Sequence, residues 1–205
     1  MISRISYFAL ICLLLSGCVH INKQPYKYTS PLKLSSGCPS IAGTYYIDAG
    51  KSLEPGSGYL LGSYAVVRSF AARNWVMEEK WLEYFKGKPS NYDIPIEMKI
   101  AGDSNSILSI SVFGGEEHQP IFNMKLSQLA GDYSCLSGYI LFKKSSQDVY
   151  SHECCSGSNS KEVALTSAQD GALVARVDNS YSGIVLVAPS YQTTQSWYVI
   201  KRKKP

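Results

Sequence analysis

Residues 96–113 read IEMKIAGDSNSILSISVF, and this stretch decides the fold. Its first half alternates apolar Ile96, Met98 and Ile100 with Glu97 and Lys99. Its second half alternates Leu108, Ile110 and Val112 with serines, and a Gly-Asp-Ser-Asn-Ser turn separates the halves. A period of two is that of a strand with one face buried. The stretch therefore predicts an antiparallel β-hairpin.

Short strands and turns continue from this hairpin to the end of the chain. Further strands are predicted over residues 120–126, 133–135, 139–143, 149–153, 161–166, 172–177, 183–188 and 196–203. Turn signals recur about every eight to twelve residues, which is typical of an all-β protein. Consecutive hairpins pair as neighbours. The sequence predicts a mainly β fold, an antiparallel meander that forms a strongly curved sheet or a small barrel.

One accessory helix is predicted upstream of the meander, near residues 69–86. Phe70, Met77, Trp81 and Phe85 recur at near-helical spacing, and the intervening positions include charged residues. Gly87 and Pro89 end the pattern. Such an aromatic stripe is typical of a helix packed on a core, so we expect it to cover one open end of the sheet.

Composition excludes some partners. Of the 205 residues 18% are charged and 12% aromatic, and the formal net charge is +4. Low charge with many aromatic residues is typical of a folded, exported protein and not of a disordered one. The weak positive charge forms no basic stripe interleaved with aromatic residues, so nucleic acid is not predicted as a partner.

The N-terminus carries a targeting signal. Arg4 precedes an apolar run over residues 5–15, which is too short to span a bilayer. Leu15-Ser16-Gly17-Cys18 follows and resembles the lipobox of bacterial lipoproteins. The resemblance implies cleavage before Cys18, diacylglycerol on its thiol and acylation (palmitate or a similar chain) of the new N-terminus. The alternative is an ordinary secretory signal with a chance cysteine.

Three segments follow from this signal. Residues 1–17 are predicted to be the lipoprotein signal peptide, 18–37 a lipidated N-terminus with a flexible tether, and 38–205 a single β-rich domain. Pro25, Pro31 and many polar residues favour an extended tether. The alternative is that part of it packs as an edge strand. Val19 in place of Asp after the lipidated cysteine implies, by resemblance to enterobacterial sorting, the periplasmic leaflet of the outer membrane.

The domain is predicted to open at Cys38, with a first strand over residues 44–47. The pattern Cys-Pro-x-aliphatic-x-Gly-x-Tyr over residues 38–45 looks like the entry strand of small uncharacterised Gram-negative lipoproteins. It is loosely similar to the Gly-x-Trp start of lipocalin-type barrels, with Tyr45 in place of the Trp.

Four cysteines remain once Cys12 is removed with the signal and Cys18 is lipidated. Cys38, Cys135, Cys154 and Cys155 are an even number in an oxidising compartment, which indicates disulfides. The preferred scheme pairs Cys38 with one of Cys154 and Cys155, and Cys135 with the other. The second scheme joins Cys38 to Cys135 and leaves a vicinal Cys154–Cys155 bridge.

The sequence contains no complete catalytic or metal-binding motif. His152, Glu153 and two thiols stand together, but they lack the C-x-x-C spacing of zinc or redox sites. No G-x-S-x-G nucleophile elbow is present, and His118 has no partner that the sequence identifies. Glu116, Glu117 and Asp132 fall in predicted turns, where carboxylates are usually solvated. We therefore predict neither an enzyme nor a cofactor.

Two functions from different classes fit the sequence. The first is a non-enzymatic binding or envelope-structural role, with a protein or a small apolar ligand as partner. The second is an inhibitor or immunity-type protein directed at a wall-degrading enzyme, since residues 133–139 are similar to the Tyr-x-Cys-x-x-Gly segment of periplasmic lysozyme inhibitors. A deep apolar cavity would favour the first. A filled core with a protruding polar loop at 114–120 or 154–159 would favour the second.

The C-terminal residues 201–204 read KRKK. They are predicted to be a solvated terminus after the last strand, or else a contact to anionic headgroups.

Overall fold

A computed structural model describes residues 19–22, 32, 36–47, 63–86, 95–115, 117–151, 155–185 and 188–203. Within these ranges the helices are α1 (Tyr64–Ala71) and α2 (Trp75–Phe85). The strands are β1 (Val19–Asn22), β2 (Gly43–Ile47), β3 (Ile96–Asp103), β4 (Ile107–Gly114), β5 (Gln119–Ser127), β6 (Tyr133–Leu136), β7 (Tyr139–Phe142), β8 (Ser145–Ser151), β9 (Cys155–Ser167), β10 (Leu173–Val185) and β11 (Ala188–Ile200). The predicted mainly β fold is confirmed.

The hairpin predicted from residues 96–113 is β3 with β4. It lies in a four-stranded antiparallel sheet in the order β2-β3-β4-β5. Met98 pairs with Val112 and Ile100 with Ile110, so the apolar positions of both strands share one face and are buried. The alternating pattern thus determines which face of the sheet contributes to the core.

The second sheet has seven strands. Its order is β1-β11-β10-β9-β7-β6, and β8 also pairs with β9. The strands β9, β10 and β11 are each 13 residues long and form a continuous antiparallel meander. Residues 155–159, predicted to be a turn, are the start of β9. Their Ser, Gly and Asn favour turns locally, but pairing with β8 and β10 on both sides overrides that preference.

The two sheets are joined at the C-terminus, and the described strands do not close into a barrel. The chain leaves β11 and runs along β2, where the Tyr46 backbone N–H donates to Lys201 O at 3.0 Å. The Lys203 backbone N–H donates to Thr44 O at 2.7 Å, and Tyr45 bridges Arg202. Both sheets and both helices contribute side chains to one large apolar core.

The helical segment is two helices and not the single one predicted over 69–86. The chain breaks at Asn74, whose backbone is extended and whose side chain accepts a hydrogen bond from Val76 N at 2.9 Å. Asparagine is a favoured N-cap residue because its side chain satisfies a free N–H of the first turn. Phe70 and Trp81 are buried, and Met77 and Phe85 pack against the core, as the aromatic stripe predicts.

Part of the predicted tether lies on the domain. Val19–Asn22 forms β1, a parallel edge strand on β11, and Leu32 bridges Ala168 on the outer face of the larger sheet. Leu32 packs there with Trp197 and Val199 against a small second apolar cluster. At Val19–Asn22 the structure has the alternative, an edge strand, whereas Leu32 forms only an isolated β-bridge. Residues 18, 23–31 and 33–35 of the predicted 18–37 segment lie outside the described residues, as does the predicted signal peptide.

Candidate functional site

Cys38 and Cys135 form a disulfide, with their Cα atoms 5.0 Å apart and a sequence separation of 97 residues. The preferred pairing of Cys38 and Cys135 with Cys154 and Cys155 is therefore wrong. The register explains why. Cys135 pairs with Ile140, and Ile140 pairs with Leu165 of β9. Cys155 is ten residues from Leu165 along that strand, or about 33 Å, far beyond the reach of a disulfide.

The other cysteines lie partly outside the described residues. Cys18, His152 and Cys154 are not among them, and Cys155 is described only as the first backbone position of β9. Lipidation of Cys18 and a vicinal Cys154–Cys155 bridge stay predictions. In the part of the chain that the structure describes, no three His, Cys, Asp or Glu side chains are grouped as a metal site would need.

An open groove of about 1350 Å³ lies where the C-terminal segment crosses the outer face of β2, β3 and β4. Its charged lining comprises basic Lys99, Lys201, Arg202 and Lys203, acidic Glu97 and Asp170, and His118, and Phe113 lies among them. We call it the cationic groove, because its lining includes four basic side chains and only two acidic ones. The groove is open to solvent and is lined by charged side chains. It is therefore not the deep apolar cavity that would favour a small apolar ligand.

Arg202 is held in place by the backbone around it. Its Nη2 donates to Ala42 O at 2.9 Å. A Cβ at Gly43 would lie 2.8 Å from Arg202 Nε, so the guanidinium occupies space that only a glycine leaves free. Lys201 and Lys203 are fixed on either side by their backbone hydrogen bonds to β2. The backbone of this C-terminal segment is therefore fixed against β2, while the side chains of Lys201 and Arg202 are exposed.

Glu97 links two of the groove's side chains. Lys203 Nζ donates to Glu97 Oε1 at 2.5 Å, and His118 Nδ1 lies 3.6 Å from Glu97 Oε2. The hydrogen bond to Glu97 raises the pKa of Lys203, so its ammonium stays charged at neutral pH. Lys203 Nζ also lies 5.5 Å from the centre of the Tyr46 ring. The Glu97 carboxylate is thus engaged by the Lys203 ammonium, with the His118 ring beside it.

Lys99 and Lys201 are the more available cations. Both are exposed, and neither forms an ion pair with another described side chain. Lys99 lies in β3, and Lys201 follows β11 of the other sheet, so both line the groove only because the C-terminal segment pairs with β2. The sequence predicts Lys99 on the solvent face of its strand and Lys201 in the C-terminal segment after the last strand. No local signal could bring the two together.

Asp132 and Arg73 have structural roles. Arg73 Nη2 donates to Asp132 O at 3.3 Å, and its guanidinium lies 5.8 Å from the centre of the Phe142 ring. Burial lowers the pKa of Arg73. The Asp132 carboxylate accepts a hydrogen bond from Ser127 N at 2.9 Å. Asp132, which was expected to be solvated, therefore fixes the turn between β5 and β6.

Comparisons with known proteins do not assign the groove. No protein-family model, no curated protein and no solved structure matches the chain. Among the described residues, neither helix has the length and apolar character needed to cross a membrane.

Proposed function

We propose that the protein is an outer-membrane lipoprotein with a non-enzymatic binding role, anchored through a lipid on Cys18, and that the cationic groove binds an acidic segment of a protein partner. The observation that carries the binding role is the fixed position of Lys201, Arg202 and Lys203 beside Lys99. The backbone that carries these three cations is already ordered, so only their side chains lose freedom when an anionic group binds.

The anchor is supported by the sequence alone. The Leu15-Ser16-Gly17-Cys18 box follows a charged start and a short apolar run, and Val19 supports transfer to the outer membrane. We place the domain on the periplasmic leaflet.

A binding role fits the groove better than catalysis. Acid–base chemistry needs a side chain free to reach a reacting proton. Glu97 is held between Lys203 and His118, and Asp170 Oδ1 accepts a hydrogen bond from Ala172 N at 3.0 Å. The aliphatic stems of the lysines and Phe113 give the groove apolar contact surface beside its charges. This combination suits a carboxylate-bearing peptide segment.

Reversing the two available cations tests this binding role. We expect Lys99→Glu with Lys201→Glu to weaken binding of a fluorescent hexaglutamate peptide by about tenfold or more at low salt, because nearby opposite charges become like charges. Fluorescence anisotropy measures the change. Lys80→Glu with Lys125→Glu is the matched control, since both residues are exposed and neither lines the groove. Equal weakening in both double variants would show that only net charge matters.

An inhibitor of a wall-degrading enzyme is the second candidate. His118 stands in the turn between β4 and β5 with 58% of its side chain exposed and a positive φ of 50°. This turn falls in the 114–120 segment where a protruding loop was expected for an inhibitor, and it borders the groove. Under this alternative the acidic segment belongs to the enzyme.

A further inference from the structure

One face of the larger sheet continues beyond the apolar core as a polar surface. Its side chains come from every second residue of β9, β10 and β11, since residues paired across an antiparallel ladder point to the same side. Val163 and Val177 pair with each other and are the last core residues on this face. Lys161 follows them, and beyond it residues 155–160 and 179–196 contain no Asp, Glu, Lys or Arg. On this face the three strands therefore carry no charge beyond Lys161.

Tyr181 lies over a pair of glycines on this surface. Gly157 of β9 pairs with Gly183 of β10, and Gly183 is two positions from Tyr181. A Cβ at Gly157 would lie 2.9 Å from Tyr181 Cε2, and a Cβ at Gly183 would lie 2.7 Å from the Tyr181 hydroxyl oxygen. The Tyr181 hydroxyl donates to Ser156 O at 3.4 Å. The two glycines thus leave the space in which the ring lies along the sheet.

This arrangement makes the Tyr181 ring a surface on which a ligand can stack. One side of the ring covers the glycines, and the residue remains partly exposed, so the other side is turned toward solvent. The face of an aromatic ring is negatively polarised and attracts weakly positive C–H groups laid flat against it. A sugar ring has such a face, because the C–H groups of a pyranose point to its two sides while its hydroxyl groups point outward.

Two amide side chains flank the Tyr181 ring. Tyr181 pairs with Asn159 of β9 on one side and with Gln192 of β11 on the other, and both partners are exposed. Neighbouring strands lie about 4.8 Å apart, so the two amides start about 10 Å from each other with the ring between them. A side-chain amide has two N–H donors and a carbonyl acceptor. Hydroxyl and acetamido groups of sugars also donate and accept, so they match these amides.

We propose that this surface binds an uncharged oligosaccharide, with one sugar ring stacked on Tyr181 and with Asn159 and Gln192 hydrogen-bonded to its hydroxyl or acetamido groups. An acidic peptide fits poorly, because none of these three side chains is charged. An apolar ligand would leave the amides without hydrogen bonds. The surface is separate from the cationic groove, since Gln192 is nine residues, or about 30 Å, from Lys201 along the chain. The protein then has a second binding surface at the opposite end of its long strands.

Calorimetric titration with two uncharged hexasaccharides, the β-1,4-linked hexamer of N-acetylglucosamine and maltohexaose, tests the proposal. The full-length protein is held in phospholipid nanodiscs, because sugar-based detergents would compete. We expect Tyr181→Ala to weaken binding about tenfold, and Tyr181→Phe to keep it within about twofold, since the ring remains. Tyr191→Ala is the matched control and should bind like the wild type. Tyr191 is 52% exposed and pairs with Ser182, so it points to the opposite face of the same hairpin.

Salt dependence separates this surface from the cationic groove. Binding of the sugar should be the same at about 0.05 M and about 0.5 M NaCl, whereas binding of an acidic peptide to the groove should weaken over this range. Sugar binding that falls with salt as peptide binding does would overturn the proposal and leave the groove standing.

Two other results would also overturn the proposal. They are equal weakening by Tyr181→Ala and Tyr191→Ala, and no binding of either hexasaccharide at millimolar concentration. If Tyr181→Ala loses the native circular dichroism spectrum, the exposed substitution Gln192→Ala replaces it and is expected to weaken binding about threefold or more. Unchanged binding in Gln192→Ala would then contradict the proposal.

Discussion

Removing the Cys38–Cys135 disulfide is expected to destabilise the protein by about 4–5 kcal/mol, because the bridge closes a loop with a sequence separation of 97 residues. Cross-linking distant residues limits the unfolded chain more than the folded one, and the effect grows with loop length. A loss of this size is a large part of the stability of an ordinary domain. It corresponds to a fall in Tm of about 10–15 °C.

The double variant Cys38→Ala with Cys135→Ala is compared with the wild type by thermal unfolding followed by circular dichroism. Replacing both residues avoids a free thiol that could exchange with the other cysteines. The control is Cys154→Ala with Cys155→Ala, which is expected to lose much less, since a bridge between adjacent residues closes almost no loop. Equal losses in the two double variants would contradict the pairing seen in the structure.

Cys18→Ala is expected to abolish lipid labelling completely. The thiol of Cys18 is the proposed attachment point, and without it neither the diacylglycerol nor the N-terminal acyl chain is added. Lipid labelling is measured by feeding cells an alkyne analogue of palmitate and then coupling the alkyne to a fluorophore. The variant should also leave the membrane fraction, because it lacks the acyl chains that anchor the protein.

Cys12→Ala is the matched control, because this cysteine lies in the proposed signal peptide and is removed with it. It should label like the wild type. Labelling that persists in Cys18→Ala would reject the lipobox interpretation in favour of an ordinary secretory signal.

Local sequence patterns predicted the elements that form between residues close together in the chain. The hairpin of β3 and β4 follows from strict alternation on both sides of a turn, and the buried face of α2 follows from the spacing of its aromatic residues. The break between the two helices at Asn74 was not predicted, because the apolar pattern continues from α1 into α2. Only the preference of Asn for the N-cap position indicates where α2 begins.

Features that depend on long-range pairing were not predictable. The disulfide partner of Cys38 depends on which end of β9 lies near β6, and the polar start of β9 is a strand only because two neighbours pair with it. The groove depends on pairing of Lys201–Lys203 with β2, about 160 residues away in sequence. The basic tail was visible in the sequence, but its position beside Lys99 was not.

The central claim is that the cationic groove is the binding surface. Photo-crosslinking in cells tests this claim most directly. Phe113 lines the open groove, which leaves room for the extra benzoyl group of benzoylphenylalanine. We predict a discrete adduct from position 113 with an acidic segment of a partner, retained in Lys80→Glu with Lys125→Glu and lost in Lys99→Glu with Lys201→Glu. A wall hydrolase as the captured partner would favour the inhibitor alternative over a structural role. An adduct that forms equally well after reversal of Lys99 and Lys201 would contradict the claim.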